Sequence, residues 1–209
     1  KSPSTLETPR MKLYYAPGAC SLGPHIIARE ANLDVKLDKV QFGPERKTES
    51  GRNFYDINPQ GAVPTLELDN GEVLAEAQVI LQYLAAQAPQ AKLAPQDGML
   101  KWRLLETLNF IATELHKGTS PLFRNPTPEA KEATVNNLKN RYDLLAKKLG
   151  DQQYLLGDFT IADAYAFVVL NWARRFGVET PAVLKAYFQR VLERPGGQQA
   201  LKEEGLPTS

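Results

Sequence analysis

Met-Lys-Leu-Tyr-Tyr-Ala-Pro-Gly-Ala-Cys-Ser-Leu-Gly-Pro-His-Ile-Ile-Ala-Arg, residues 11–29, is the stretch whose reading decides the fold. Leu13 and Tyr15 alternate with Lys12 and Tyr14, the period of a strand with one buried face, and Pro17-Gly18 closes it with a turn. A helix follows, with Ser21 as its expected cap, Pro24 tolerated in the first turn, and Ile26, Ile27 and Leu33 as an apolar stripe. Residues 35–40 read as a second strand. Strand, helix, strand favours parallel pairing through a right-handed crossover. Cys20, the only cysteine of 209 residues, stands at the junction. Unpaired N–H groups and the helix dipole favour a thiolate there, while position alone fits a small apolar filler behind the turn equally well.

Outward from this unit, residues 41–58 are polar and irregular, broken by Gly43-Pro44 and Gly51, and read as a long surface loop with one helical turn. Asn70-Gly71 between residues 65–68 and 72–74 signals a hairpin. Pro64 directly before that hairpin is either an edge proline or a cis proline presenting backbone to a ligand. A helix opened by Glu76-Ala77-Gln78 and carrying Val79, Ile80, Tyr83 and Leu84 stops at Pro89. Residues 89–98 form the expected domain linker. Beyond it the pattern is helical. Trp102, Leu105, Leu108, Ala112 and Leu115 stripe one helix, ended by Gly118. Thr127-Pro128 opens a second, striped by Val135, Leu138, Tyr142, Leu145 and Leu149. Thr160 and Asp163 make a capping box before a buried central helix, and a last helix runs from about Pro181 to Pro195, leaving a polar tail.

Composition sets the outer limits. With 43% hydrophobic and 23% charged residues the chain reads as an ordinary globular protein, and a net charge of +1 gives no basic field for nucleic acid or an anionic membrane surface. No run of about 18 apolar residues is present to span a membrane. A single cysteine forms no internal disulfide and fits a reducing cytoplasm. Residues 1–10 lack the apolar segment of a signal peptide and read as a disordered leader or cloning remnant, with Met11 as a native start. Pro24-His25 stands where a phosphate loop needs Lys and Ser or Thr, and two scattered histidines with one cysteine are too few for a Cys/His zinc site, so no metal is expected. Cys20-Ser21-Leu22-Gly23 is not a Cys-x-x-Cys pair. Thiol chemistry here is monothiol and needs a partner thiol. Asn109 and His116, seven residues apart, face one cleft if their helix is regular, with Lys117 beside them; a plain polar helix end remains the alternative.

Gly-Ala-Cys-Ser-Leu at 18–22, Gly-Ala-Val-Pro at 61–64, Ile-Ala-Thr-Glu-Leu-His-Lys-Gly at 111–118 and Thr-Ile-Ala-Asp-Ala-Tyr at 160–165 occur in this order. By these motifs the chain resembles a cytosolic glutathione transferase of the bacterial beta class over residues 11–206. The resemblance implies an α/β thioredoxin-like N-terminal domain (11–88), an all-α C-terminal domain (99–209) of four or five helices, and a cytoplasmic homodimer. It implies that Cys20 contacts the sulfur of glutathione and can hold it as a mixed disulfide, with Ala19 and Ala62 beside it. It implies that Val63 pairs with the cysteinyl backbone next to a cis Pro64, and that Glu76 and Ala77 meet the γ-glutamyl end. Phe42 and Lys47 are the implied loop contacts, Asn109 reaches toward glutathione within its own subunit or across the dimer interface, His116 and Lys117 stand at the active site, and Tyr15 is a secondary catalytic candidate. His25 receives no role. The implied function is a detoxifying transferase that joins glutathione to hydrophobic electrophiles, exchanges thiols and disulfides through Cys20, or both, with peroxidase activity open to the same thiol. The alternative is a non-catalytic carrier of hydrophobic ligands on the same fold.

Overall fold

The computed structural model describes residues 10–209, and the leader expected at 1–10 lies outside it but for Arg10. Strand β1 (Met11–Tyr15) is central. It pairs in parallel with β2 (Val35–Gln41) across the crossover helix α1 (Leu22–Glu30), as the strand-helix-strand order favours. It is buried on both faces and not on the one face that the alternation suggested, Tyr14 being as buried as Leu13. On its other side β1 pairs antiparallel with β4 (Thr65–Glu67), which turns at Asn70-Gly71 into β5 (Val73–Ala75). The sheet order is β3-β2-β1-β4-β5. Strand β3 (Lys47–Thr48) is a correction to the irregular loop read from sequence: it pairs antiparallel with Val40 and Gln41. Two residues leave no period to detect. The expected helical turn is a 3-10 turn at Phe54–Asp56.

Helix α2 (Ala77–Gln87) closes the α/β half, and the following segment carries a 3-10 turn (Pro89–Ala91) and a buried Leu93. Leu93 is docked rather than free, since its carbonyl accepts the Ile161 N–H at 2.9 Å. The helical half contains α3 (Gly98–Phe110), a π-helical stretch (Ile111–His116), α4 (Lys117–Thr119), α5 (Pro128–Leu149), α6 (Ile161–Phe176), α7 (Ala182–Leu192) and α8 (Pro195–Glu204). The predicted stop at Gly118 is absent. Helical turns continue from Gly98 to Arg124, where left-handed Asn125 ends them. Trp102 is solvent-exposed instead of core, because the buried face runs through Leu104, Leu108, Ile111 and Leu115. The polar tail expected after Pro195 is helix α8, whose Gly196, Gly197, Ala200, Leu201 and Glu204 are buried against the rest of the chain.

One apolar core joins both halves. Leu13, Leu22, Ile26, Ile27, Ile80 and Leu84 pack continuously with Leu108, Ile111 and the whole inner length of α6. Helix α6 is buried from Ile161 to Leu170, and Thr160 and Asp163 close its first turn reciprocally, the capping box read from sequence. Helix α1 lies between the sheet and helices α6 and α8. The turn that precedes α1 therefore sits where the two halves meet, and this turn carries Cys20.

Candidate active site

A cleft of about 240 Å³ lies between the halves, lined by Cys20, Val63, Pro64, Glu76, Ala77, His116, Lys117 and Tyr165 among others. Larger cavities lie elsewhere, such as one of about 440 Å³ between α6 and α7, but the reactive groups converge only on the smaller one. Each lining residue is placed by a local device. The Val63–Pro64 peptide bond is cis. The turn before it is tied by Asn58, whose Nδ2 donates to the Ala62 carbonyl at 3.1 Å and to Thr65 Oγ1 at 2.9 Å. Glu76, at φ 70°, holds a left-handed conformation unusual for a residue with a side chain, a strain of about 1–3 kcal/mol of the kind found at binding sites. Its carbonyl accepts from Val79 and Ile80, while the first N–H groups of α2 precede any intrahelical partner.

The thiol of Cys20 is not the exposed thiolate that the helix-start argument favoured. Burial pushes it up to about 12, against the pull of nearby backbone N–H groups, and Glu76 adds to the rise. Helix α1 begins only at Leu22, and the Cys20 Sγ–H donates to the Val63 carbonyl at 3.0 Å. Packing outweighs the dipole here. Ser21 also departs from its predicted role: its hydroxyl bonds Ala16 instead of capping α1.

His116 is held as a neutral ring. Burial, with Lys117 adding to it, lowers its pKa to about 4. Its Nδ1 lies 2.6 Å from the Tyr165 hydroxyl, and Trp172 meets the ring edge-on at 5.1 Å. Burial raises the pKa of Tyr165, with Cys20 and Glu76 adding to the rise, so its hydroxyl keeps its proton. The Tyr165 hydroxyl and His116 Nδ1 thus share one hydrogen bond between two neutral groups, its donor set by the ring tautomer. Tyr165 was present in the sequence motif at 160–165 without a role, and only the fold brings it 49 residues back to His116.

Cys20, Ala62, Val63, Pro64, Glu76, Ala77, His116 and Lys117 are thus brought together, and Asn58, Gln60, Gln78, Ala112 and Tyr165 join them. Others are not. Tyr15 is buried with its ring 6.1 Å from that of His25 and does not line the cleft. Ala19 lies in the adjoining turn, outside the lining. Phe42 is exposed beneath the Arg46 guanidinium, and exposed Lys47 pairs with Glu45 at 2.8 Å; neither lines the cleft. Asn109 is exposed and absent from the lining. The cause is the π-helical stretch at Ile111–His116, which breaks the α-helical register between the two residues; each residue inserted in a helix turns the face by about 100°.

Comparison with known proteins identifies the architecture. Residues 18–87 match the N-terminal domain model of glutathione S-transferases and residues 110–195 the C-terminal domain model. The chain belongs to the glutathione S-transferase family. It is 44% identical to glutathione S-transferase GstA of Escherichia coli O157:H7 over 94% of this chain and 100% of that one. Among solved structures it resembles a sphingomonad glutathione S-transferase complexed with glutathione (43% identity, TM-score 0.87, 94% of this chain and 100% of that one). It also resembles the bacterial beta class enzyme of Sphingomonas chungbukensis (43%, TM-score 0.88, 94% and 100%), in line with the class read from the motifs. This glutathione transferase thus carries the thioredoxin-like and helical halves of its family, and no described helix is long and apolar enough to cross a membrane.

Proposed function

We propose that the cleft binds glutathione with its sulfur between Cys20 and His116 and transfers that sulfur to an apolar electrophile. The observation that supports this most directly is the convergence of a thiol, a backbone edge, a helix start and a neutral imidazole on one cleft. Val63 offers its backbone to the cysteinyl residue of the tripeptide, as an added strand would. The first N–H groups of α2 suit the γ-glutamyl carboxylate, and Glu76 suits the ammonium. Lys117 supplies the positive field that favours the thiolate of glutathione. His116 contributes a neutral imidazole beside the same sulfur and no positive charge, since burial and Lys117 both disfavour its protonation. At neutral pH Cys20 is a thiol, so conjugation proceeds from the sulfur of glutathione and not from Cys20.

Thiol exchange is the second reading, favoured by the position of the Cys20 sulfur in the same cleft. There the Cys20 thiolate attacks the glutathione sulfur of a mixed disulfide, the other thiolate leaves, and a second glutathione thiolate releases Cys20 and carries away oxidised glutathione. Apolar electrophiles are the proposed second substrates. We place the division between domains at 89–98, the protein in the cytoplasm, and two copies in a dimer, supported by exposed Val79, Met99, Leu100 and Trp102 on α2 and α3.

The test compares wild type with Cys20→Ala in conjugation of a chlorinated nitrobenzene and in reduction of a glutathione mixed disulfide. Conjugation should survive and reduction should fall to background. Failure of the wild type to bind immobilised glutathione or to turn over either substrate would leave only the carrier reading.

A further inference from the structure

His25, which the glutathione reading leaves without a task, is fully buried between two carboxylates. Its Nδ1 lies 2.8 Å from Glu204 Oε1 and its Nε2 lies 2.6 Å from Glu203 Oε2, both at the end of α8. The Glu204 side chain is itself fully buried, and its second oxygen accepts the Gly18 N–H at 2.8 Å. The Gly18 carbonyl accepts the indole N–H of Trp172 at 2.8 Å, and that ring packs against His116. Gly18, at φ 70°, stands two residues before Cys20. The turn bearing the thiol is therefore held at one residue, amide and carbonyl alike, by the helical half of the chain.

We propose that Glu204 and His25 are positioning residues for Cys20, and that the bond by which they hold Gly18 depends on one shared proton. The argument is an accounting of donors. An ionised carboxylate only accepts, and a neutral imidazole has a single N–H. One ring bonded to two carboxylates at these distances needs two protons on the ring or one on a carboxyl. The cluster as built therefore holds one proton more than a neutral ring and two carboxylates. The titratable and charged groups that face His25 are Glu203 and Glu204 from α8, Arg29 from α1 and Tyr15 from β1. Arg29 donates to Glu203 at 2.7 Å and Gln199 at 3.0 Å, so Glu203 keeps partners without the ring. Glu204 has the ring and Gly18. Loss of the extra proton turns a ring lone pair toward a carboxylate oxygen, and the last turn of α8, which carries both glutamates, must give. Gly18 and the thiol two residues on follow it.

The experiment reads the protein without any substrate. The chain has two histidines and two tryptophans, so imidazole and indole nitrogens of a 15N-labelled sample resolve singly, with exposed Trp102 as the control. The expected result is a His25 ring protonated on both nitrogens at the acid end of the titration, and, as that proton is lost, a Trp172 indole resonance that moves on the same curve while Trp102 stays still. In Glu204→Gln the side-chain amide donates to Nδ1 and its oxygen accepts from Gly18, so a neutral ring suffices. Trp172 should keep its position and lose its movement with pH. In Glu204→Ala labelling of Cys20 by a small thiol reagent should change by roughly tenfold, the effect of about one lost hydrogen bond, and Glu204→Gln should restore it. A His25 ring with one proton across the whole range, or a Trp172 resonance that ignores His25, overturns the proton-dependent lock. An unchanged Cys20 labelling rate in folded Glu204→Ala overturns the positioning role; should that variant not fold, the wild-type titration and Glu204→Gln decide.

Discussion

Cys20, half-buried in the wall of the cleft, should be a slow nucleophile at neutral pH, because packing around its sulfur disfavours the charged form. Burial takes its pKa from an ordinary 9.0 to about 12. The thiolate population at pH 7.5 is then about a thousandfold below that of an unburied cysteine. A more basic thiolate is also a better nucleophile, with a Brønsted slope of about 0.4–0.5, which returns roughly fifteen- to thirtyfold. The net expectation is alkylation about thirty- to sixtyfold slower than in the unfolded chain. Because the protein has one cysteine, intact mass after timed exposure to iodoacetamide counts the reaction directly. The rate should climb with pH without a plateau up to about pH 10. Glu76→Gln, which removes a nearby negative charge, should raise it at every pH. A plateau near neutral pH, with labelling as fast as in denaturant, would refute the reasoning and restore the helix-start thiolate that position alone suggests.

Four further outcomes follow from particular contacts. Tyr165→Phe removes the hydrogen-bond partner of His116 Nδ1 and should lower kcat/KM for conjugation by roughly tenfold, at a cost of about 1.4 kcal/mol. The His116 pKa of about 4 means that its protonation contributes no limb to the activity profile between about pH 5.5 and 8, so a limb traced to this ring by 15N titration would contradict the burial argument. Gly196→Ala places a methyl 2.7 Å from the Glu30 backbone nitrogen, where α8 meets α1, and should destabilise the fold by about 1–3 kcal/mol in urea unfolding. Glu203 is held down to about 2: burial opposes this, but hydrogen bonds from Arg29, His25 and Gln199 outweigh it. A carboxylate with a depressed native pKa stabilises above its unfolded value of about 4.3, so this contribution should vanish progressively as pH falls from about 4.3 to 2, and Glu203→Gln should flatten unfolding midpoints across that window.

What the sequence made legible was local, and what it hid was contact at long range. The βαβ unit, the hairpin at Asn70-Gly71 and the capping box at Thr160 each depend on neighbours within a few residues, so composition and spacing report them. Asn109 and His116 look like one face because seven residues make two α-helical turns, but the π-helical stretch between them is a tertiary accommodation that no residue type announces. Helix α8 reads as tail for a related reason. Pro195-Gly196-Gly197 are poor helix formers, and Glu203 and Glu204 look like solvent-facing charge. Gly196 is there because α8 crosses α1 too closely for a Cβ, and the glutamates are there because His25 and Gly18 meet them from 178 residues or more away. The same distance explains the misreading of Cys20. A thiol at the start of a helix is reactive when water reaches it, and whether water reaches it depends on the packing of Val63 and of the helical half around it. The motif around Cys20 names the family, but the acidity of its sulfur is set by residues that the motif does not contain.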